Sequence, residues 1–499
     1  MSRARSLLVS TTVAIVLAAV ATMLTAAAQP SPAATAPVIT VGGPAATRPI
    51  PPGFLGLSLE YSAIPSYAGT DPNNIDPVFV QLVRNLAGGQ PPDIRIGGDT
   101  TDSTWWPVPG AATPGGVKGA LTPGWVAVTK ALATKTGARL TLGINLEADS
   151  ATVAATEADR LVAGIGAGAI EALELGNEPE LYGTFTWGRT GKPGRPHGYD
   201  YADFSEDFSR IARALPNLPL AGPTAGGPGW FPDVGRFLAA HHDVGMTTLH
   251  RYPLQLCYVR KNEPNYPTIA NLLSSRSSRG LADSLAAAVR ASHARHIPVR
   301  IDEMNTIGCG VDRAVGESFA SALWALDAVF NMARVGVDGV NIASFPSATW
   351  ELFKFSQADG RWRGVVEPEY YGLEMFAQAA PPGSQLLTVS PTRVAHLGAY
   401  ATRAPDRTIR IVVINEGADV RAVNIRVRGA VGNGTLELLT APTIHAGGGI
   451  TLGGQSFGAS TATGLLAGAP RTDAVAPSRG GYDIRLPAAS AALLTVPPN

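Results

Sequence analysis

Charge is scarce in this chain. Only 16% of its 499 residues are Asp, Glu, Lys or Arg, and the two signs cancel, 39 against 39. A neutral, balanced composition offers no basic stripe for nucleic acid and no polybasic patch for a membrane surface. Cysteine is limited to Cys257 and Cys309, so an exported chain can form at most one disulfide, the alternative being two free buried thiols. The histidines at 241–242 and at 293 and 296 fall on or near helical stretches without metal-ligand grouping, and no metal site is read from them. No Gly-x-Gly-x-x-Gly follows the first strand, which removes the main support for a nucleotide-binding open sheet. Ser58 has no triad context, and no internal repeat of solenoid length is present. Glycine (56) and proline (40) are plentiful instead, a composition of loops more than of a helical scaffold.

The N-terminus carries an address. Arg3 and Arg5 precede an apolar run at 7–24, and Ala26-Ala27-Ala28 then offers an Ala-x-Ala cleavage site. This reads as a signal peptide over 1–28 followed by a Pro/Ala/Ser-rich leader at 29–37. An uncleaved membrane anchor stays open as the alternative, because the run approaches the length of a span. Either way the chain is exported, and secretion with no membrane attachment is expected after cleavage.

Apolar runs and helical spacing alternate from 53 to 380. Strand candidates stand at 54–61, 93–98, 139–146, 170–176, 218–223, 246–252, 299–303 and 339–345, with helical segments between them. Eight such alternations predict a (β/α)₈ barrel, with a doubly wound sheet as the runner-up. From 381 to 499 the texture changes to short β-type runs split by Gly, Pro and Asn, which predicts an antiparallel β-sandwich domain without a catalytic cluster. The strand candidate at 38–41, within an N-terminal stretch ending at 52, is expected to join that sandwich.

Two strand ends stand out. The run Leu-Glu-Leu-Gly ends in Asn177-Glu178-Pro179, and Pro179 cannot extend a ladder. The run Val-Arg-Ile-Asp ends in Glu303-Met304-Asn305. In a parallel barrel, catalytic groups stand at the C-terminal ends of strands. Carboxyls at the ends of strands four and seven face each other across the mouth, the equipment of a glycoside hydrolase. Glu178 has few cations near it in sequence, which suits an acid with a raised pKa. Glu303 has Arg300 and the His250-Arg251-Tyr252 strand end near it, which suits an ionised nucleophile. Cys257 and Cys309 each follow a strand end on this same rim, which favours a bridge between them. The long loop 181–201, with Lys192 and Arg195, is positioned to close one end of a cleft.

Further segments narrow the reading: Gly56-Leu57-Ser58-Leu59-Glu60, Arg95-Ile96-Gly97-Gly98, His250-Arg251-Tyr252, and Glu303-Met304-Asn305 followed by Gly308-Cys309-Gly310. With the two glutamate segments, the chain resembles the clan of retaining (β/α)₈ glycosidases, and within it the heparanase-like β-glucuronidases of glycoside hydrolase family 79. The resemblance covers the barrel and, in architecture, the C-terminal sandwich. It implies Glu178 as acid/base, Glu303 as nucleophile and Asn177 as the amide bonding the sugar 2-hydroxyl. It implies Tyr252 beside the nucleophile, Arg95 beneath it and Glu60 as an acceptor for sugar hydroxyls. The loop after strand seven, with Gly308 and Gly310, would hold the uronate carboxylate on main-chain N–H groups. That loop lacks the Tyr that relatives often supply. Trp350, past strand eight, would stack on the sugar.

Each has a plainer alternative: Arg95 neutralising Glu174, Tyr252 packing the rim, Glu60 as a surface acid, Trp350 in the core. Trp105 and Trp106 line outer subsites or simply pack. The implied protein is a secreted, monomeric, cofactor-free exo-β-glucuronidase acting on carbohydrate. An endo-acting enzyme, a neutral-sugar glycosidase of the same clan, or a glycan-binding protein on a degenerate barrel stand as alternatives.

Overall fold

A computed structural model describes residues 36–498 apart from 46–47, 395, 430–431 and 479–480. The signal-peptide stretch and the leader up to 35 lie outside the described residues. Among those described, no helix is long and apolar enough to cross a membrane.

Eight parallel strands close into a barrel in chain order: one Leu55–Glu60, two Asp93–Gly97, three Arg139–Ile144, four Ile170–Leu175, five Leu220–Ala225, six Val244–Arg251, seven Val299–Met304 and eight Gly339–Ser344. Strand eight pairs back with strand one, Val340 opposite Leu55. These strands are buried along almost their whole length, as expected where helices cover one face and side chains fill the other. Strand five begins two residues later than the sequence pattern suggested. Pro219 has no N–H for a ladder, and its carbonyl accepts from Leu173 N just before the strand starts.

The second domain is one mostly antiparallel sheet. Its first strand, Val38–Pro44, comes from the N-terminal side of the barrel. It lies between Gln385–Ser390, antiparallel, and Arg421–Val427, parallel. Strand Ile409–Asn415 explains how this sheet braces the barrel. Ile411 and Val413 face the sheet's own core, whereas Val412 and Ile414 join the barrel's core. A two-residue period therefore buries both faces, and the run Ile-Val-Val-Ile needs no polar member. Phe330, on barrel helix Phe319–Val335, stacks on Tyr400 with centroids 4.6 Å apart and planes 4° from parallel.

Several strand elements escaped the sequence reading, two of them prominent. Gln385–Ser390 is one, and a hairpin of Phe353–Ala358 with Arg361–Val366 is the other. The hairpin's signal was present as Asp359-Gly360. Both adopt positive φ, 51° and 72°, the requirement of a tight two-residue turn between strands.

Candidate active site

Strand four ends at Leu175, and Gly176 turns the chain with φ 79°. A Cβ there would come within 2.3 Å of the Tyr182 hydroxyl, so only glycine fits this close approach. Asp102 then pins the tip. Its Oδ2 accepts from Asn177 N at 3.0 Å and from the Tyr182 hydroxyl at 2.6 Å. Its Oδ1 accepts from Leu146 N and Glu147 N. Glu178 follows with φ 47° and ψ 56°, a left-handed conformation that non-glycine residues adopt at a cost. Its N–H donates to the Thr224 carbonyl at 3.0 Å, and Thr224 is itself strained, with φ 54°.

Strand seven carries a bulge. Its register against both neighbours shifts after Ile301. Successive side chains of a regular strand point to opposite faces, but a bulge re-aims them. Asp302 and Glu303 accordingly both reach the barrel axis, where Arg95 meets each. Arg95 Nη1 donates to Glu303 Oε2 at 2.8 Å, and Arg95 Nε lies 3.5 Å from Asp302 Oδ2. Nε also donates to Glu174 Oε2 at 2.8 Å, Nη1 to Ser58 Oγ at 3.2 Å and Nη2 to Asn177 Oδ1 at 2.9 Å. Arg95 therefore bonds Glu174 and Glu303 at once, so contact with one does not exclude contact with the other.

His250 lies between the two candidate carboxylates. Its Nδ1 donates to Glu178 Oε1 at 3.0 Å and stands 3.8 Å from Glu303 Oε2. These contacts bound the separation of the two oxygens at about 7 Å, compatible with the roughly 5–5.5 Å of retaining glycosidases and reaching only the lower edge of the inverting range. Nε2 lies 3.1 Å from Thr224 Oγ1 and 3.7 Å from Asp302 Oδ2. Burial opposes the charge on His250, but Glu303, Asp302 and the bond to Glu178 hold it well above the usual histidine range. Glu303 is also buried, which raises a carboxyl. His250, Arg95 and the Tyr252 hydroxyl, which donates at 2.7 Å, pull it below the ordinary value. Asp302 is drawn down to about 2 against its burial by His250 and Arg95. Burial raises Glu174 to about 8 despite Arg95, leaving it protonated at neutral pH.

Two expectations are corrected here. Arg300 does not accompany Glu303: its guanidinium donates to Asn341 Oδ1 and to the Gly53 carbonyl near the start of strand one. Residues 300 and 303 also straddle the bulge. Glu178 is not free of cations, because the fold brings His250 against it from two strands away.

The other candidates gather around this centre. Glu60 accepts from Thr100 N at 2.7 Å and Asp99 N at 3.1 Å, and from the Thr100 hydroxyl. It fixes the turn after strand two, and burial, Asp99 and Glu303 raise it to about 8. Trp350 lies at the rim with its ring 6.4 Å from that of Tyr252. The Gly308 N–H donates to the Leu254 carbonyl, so that donor is engaged within the protein. Gly310 adopts φ 87°, where a Cβ would sit 2.7 Å from Leu256 Cβ. Leu254 bridges Ile307, Leu256 N donates to the Cys309 carbonyl, and Cys257 is disulfide-bonded to Cys309. The loops after strands six and seven are thus one unit. Arg195 is buried, donating to the Leu146 and Glu147 carbonyls and to Asp207, so it fastens the loop 181–201 and does not line a cleft. Trp105 is buried, and Trp106 packs under Arg160.

Asp99 had no role assigned from the sequence. Asn177 Nδ2 donates to its Oδ1 at 3.3 Å. Burial, then the neighbouring Glu303 and Glu178 carboxylates, raise it to about 6. Its place four residues past Arg95 on the strand-two end was the available signal. Among the described residues no cluster of His, Cys, Asp or Glu is disposed to hold a metal.

No protein-family model matches the chain. A β-glucuronidase of Neurospora crassa is 23% identical over 437 residues, covering 76% of this chain and 74% of that protein. A 4-O-α-L-rhamnosyl-β-D-glucuronidase from Fusarium oxysporum has the same fold, with a TM-score of 0.72, 20% identity, and coverage of 92% of this chain and 100% of that one. A family 51 arabinofuranosidase from Xanthomonas axonopodis follows with a TM-score of 0.63, 15% identity, and coverage of 92% and 99%. The likeness is one of fold: an eight-stranded α/β barrel carrying a C-terminal β-sandwich, a build shared with enzymes whose names mark them as glycosidases.

Proposed function

We propose that the chain is a retaining glycoside hydrolase acting on β-glucuronides, in an exo manner. The observation that carries this is the Glu178–His250–Glu303 arrangement, in which one imidazolium contacts both carboxylates and their separation suits double displacement. Glu303, held ionised by Arg95 and Tyr252, attacks the anomeric carbon. Glu178 gives its proton to the departing oxygen and then takes one from the water that hydrolyses the glycosyl ester. Asn177 supports this assignment. Its Oδ1 is engaged by Arg95, which turns Nδ2 toward the cleft for a sugar 2-hydroxyl.

Glucuronide as substrate draws on the names of the Neurospora and Fusarium proteins. The latter's name adds a second reading, a glucuronate substituted at O4. The test is a panel of nitrophenyl β-glycosides (glucuronide, glucoside, galactoside, xyloside) alongside a 4-O-rhamnosyl glucuronide. The expected result is release from a glucuronide with retention at the anomeric carbon. Preference for a neutral sugar would discard the uronate, and efficient cleavage of internal bonds in a long uronan would discard the exo mode.

A further inference from the structure

Of the large apolar side chains left exposed among the described residues, only Phe185 and Tyr258 are aromatic, at 40% and 65% exposure. They touch each other, with ring centroids 5.9 Å apart and planes at 52°. Phe185 belongs to the loop after strand four and Tyr258 to the loop after strand six. The pair therefore spans the strand-five loop on the catalytic face. Exposed rings on a mobile loop would be unremarked surface, but both backbones here are fixed. Cys257, beside Tyr258, is tied to Cys309, and Leu256 N bonds the Cys309 carbonyl. On the other side Leu181 N donates to the Glu178 carbonyl, and Phe185 N to the Leu181 carbonyl. The stretch from Glu178 to Phe185 thus runs as successive turns, and seven residues at a helical rise reach at most about 10–14 Å.

We infer that Phe185 and Tyr258 form a stacking platform for a ring in the leaving group, beyond the ring joined to the scissile bond. The inference rests on Glu178 being the acid, since the departing oxygen lies on its side. Two fixed, wet aromatic faces at that reach suit a flat apolar ring face, either the C–H face of a pyranose or an aryl group. Among the described residues no other Phe, Tyr or Trp is as exposed as this pair.

The test uses the full chain with Phe185→Ala, Tyr258→Ala and Tyr258→Phe. Four β-glucuronides are compared: the fluoride, with no leaving-group ring; nitrophenyl, with one; a disaccharide leaving group; and a polycyclic phenol. Each alanine variant is expected to lose about 3- to 10-fold in kcat/KM on an extended leaving group, with the fluoride unchanged and Tyr258→Phe like wild type. Loss confined to the disaccharide assigns a glycan, and loss confined to the phenol assigns an aryl glycoside. Equal loss on the fluoride, or none on any substrate, overturns the platform. So does a wild-type dimer that Tyr258→Ala converts to a monomer with unchanged kinetics. If no glucuronide is cleaved, the same leaving groups on whichever glycoside the enzyme accepts decide the platform separately from the uronate.

Discussion

Strand seven delivers Glu303 into a ring of donors, whereas strand four delivers Glu178 onto a ledge with one. Glu303 is contacted by Arg95, Tyr252 and His250, and its side chain keeps 16% of its exposure. Among the described residues Glu178 has His250 alone as side-chain partner, and it keeps 23%. The exposures are similar, so partners and not depth separate the two groups. A nucleophile must stay ionised through the whole cycle and is served by fixed cations. An acid/base must change its proton twice, and one hydrogen-bond partner opposes that change less than three do. The backbone repeats the contrast. A bulge aims Glu303, while a left-handed residue locked by Asp102 and Thr224 aims Glu178.

Removing the better-held group should hurt most. Glu303→Gln keeps the shape but not the charge, and is expected to cost about 10⁴-fold or more in kcat. Covalent trapping with a 2-fluoro glycoside, followed by peptide mass mapping, identifies the residue directly. Labelling elsewhere would end the assignment.

Glu178→Ala should cost about 10²–10⁴-fold on substrates with poor leaving groups, the usual worth of a positioned acid. On an activated leaving group the first step needs little acid, so the loss should be smaller and azide should restore turnover as a β-glycosyl azide. An α-azide, or no rescue, would contradict the role. Tyr252→Phe comes next. It removes one hydrogen bond to a charged group, about 1.5–3 kcal/mol, so kcat/KM should fall about 10- to 100-fold. The acid limb of the pH–rate profile should move up, because Glu303 loses one of the groups that lower it. A profile that stays in place would mean that Tyr252 only packs the rim.

The sequence carried the barrel because each strand is an apolar run bounded by helical spacing, and it carried Glu178 and Glu303 because each ends such a run. Arg95, Asn177 and Tyr252 were placed at the same centre by the family resemblance and not by the strand pattern. What it lacked were facts that exist only once the barrel closes. His250 touches Glu178 from two strands away, and nothing local to 177–179 announces it. The bulge that turns Asp302 and Glu303 to one side has no glycine or proline to mark it. Arg300 misled because nearness in sequence is not nearness across a bulge. The strand Gln385–Ser390 went unread although Leu397–Arg403 pairs with it nearby in the chain; its other partner, Val38–Pro44, is hundreds of residues away.

The smallest expected effect concerns stability against pH, and it sets the strand-one side of the mouth against the strand-seven side. Glu303 and Asp302 have folded values below their unfolded ones. Their contribution is present above the unfolded carboxylate range and is lost as pH falls through the folded values. Glu60 has the opposite sign. Its folded value is raised to about 8, so the native state binds the extra proton between about pH 4.5 and 8, and stability declines as pH rises across that window. Asp99, raised to about 6, acts in the same direction over a narrower range. The two sides together predict a stability maximum in mild acid. Glu60→Gln removes the titration and keeps an acceptor oxygen for one of the two N–H donors, since Asp99 N and Thr100 N bond different oxygens of Glu60. Its melting temperature should therefore fall less than that of the wild type between pH 5 and 8, on top of a pH-independent offset from the lost bond. Parallel melting curves across that window would mean that Glu60 titrates normally, and that the donors of the strand-two turn outweigh its burial and its neighbours Asp99 and Glu303.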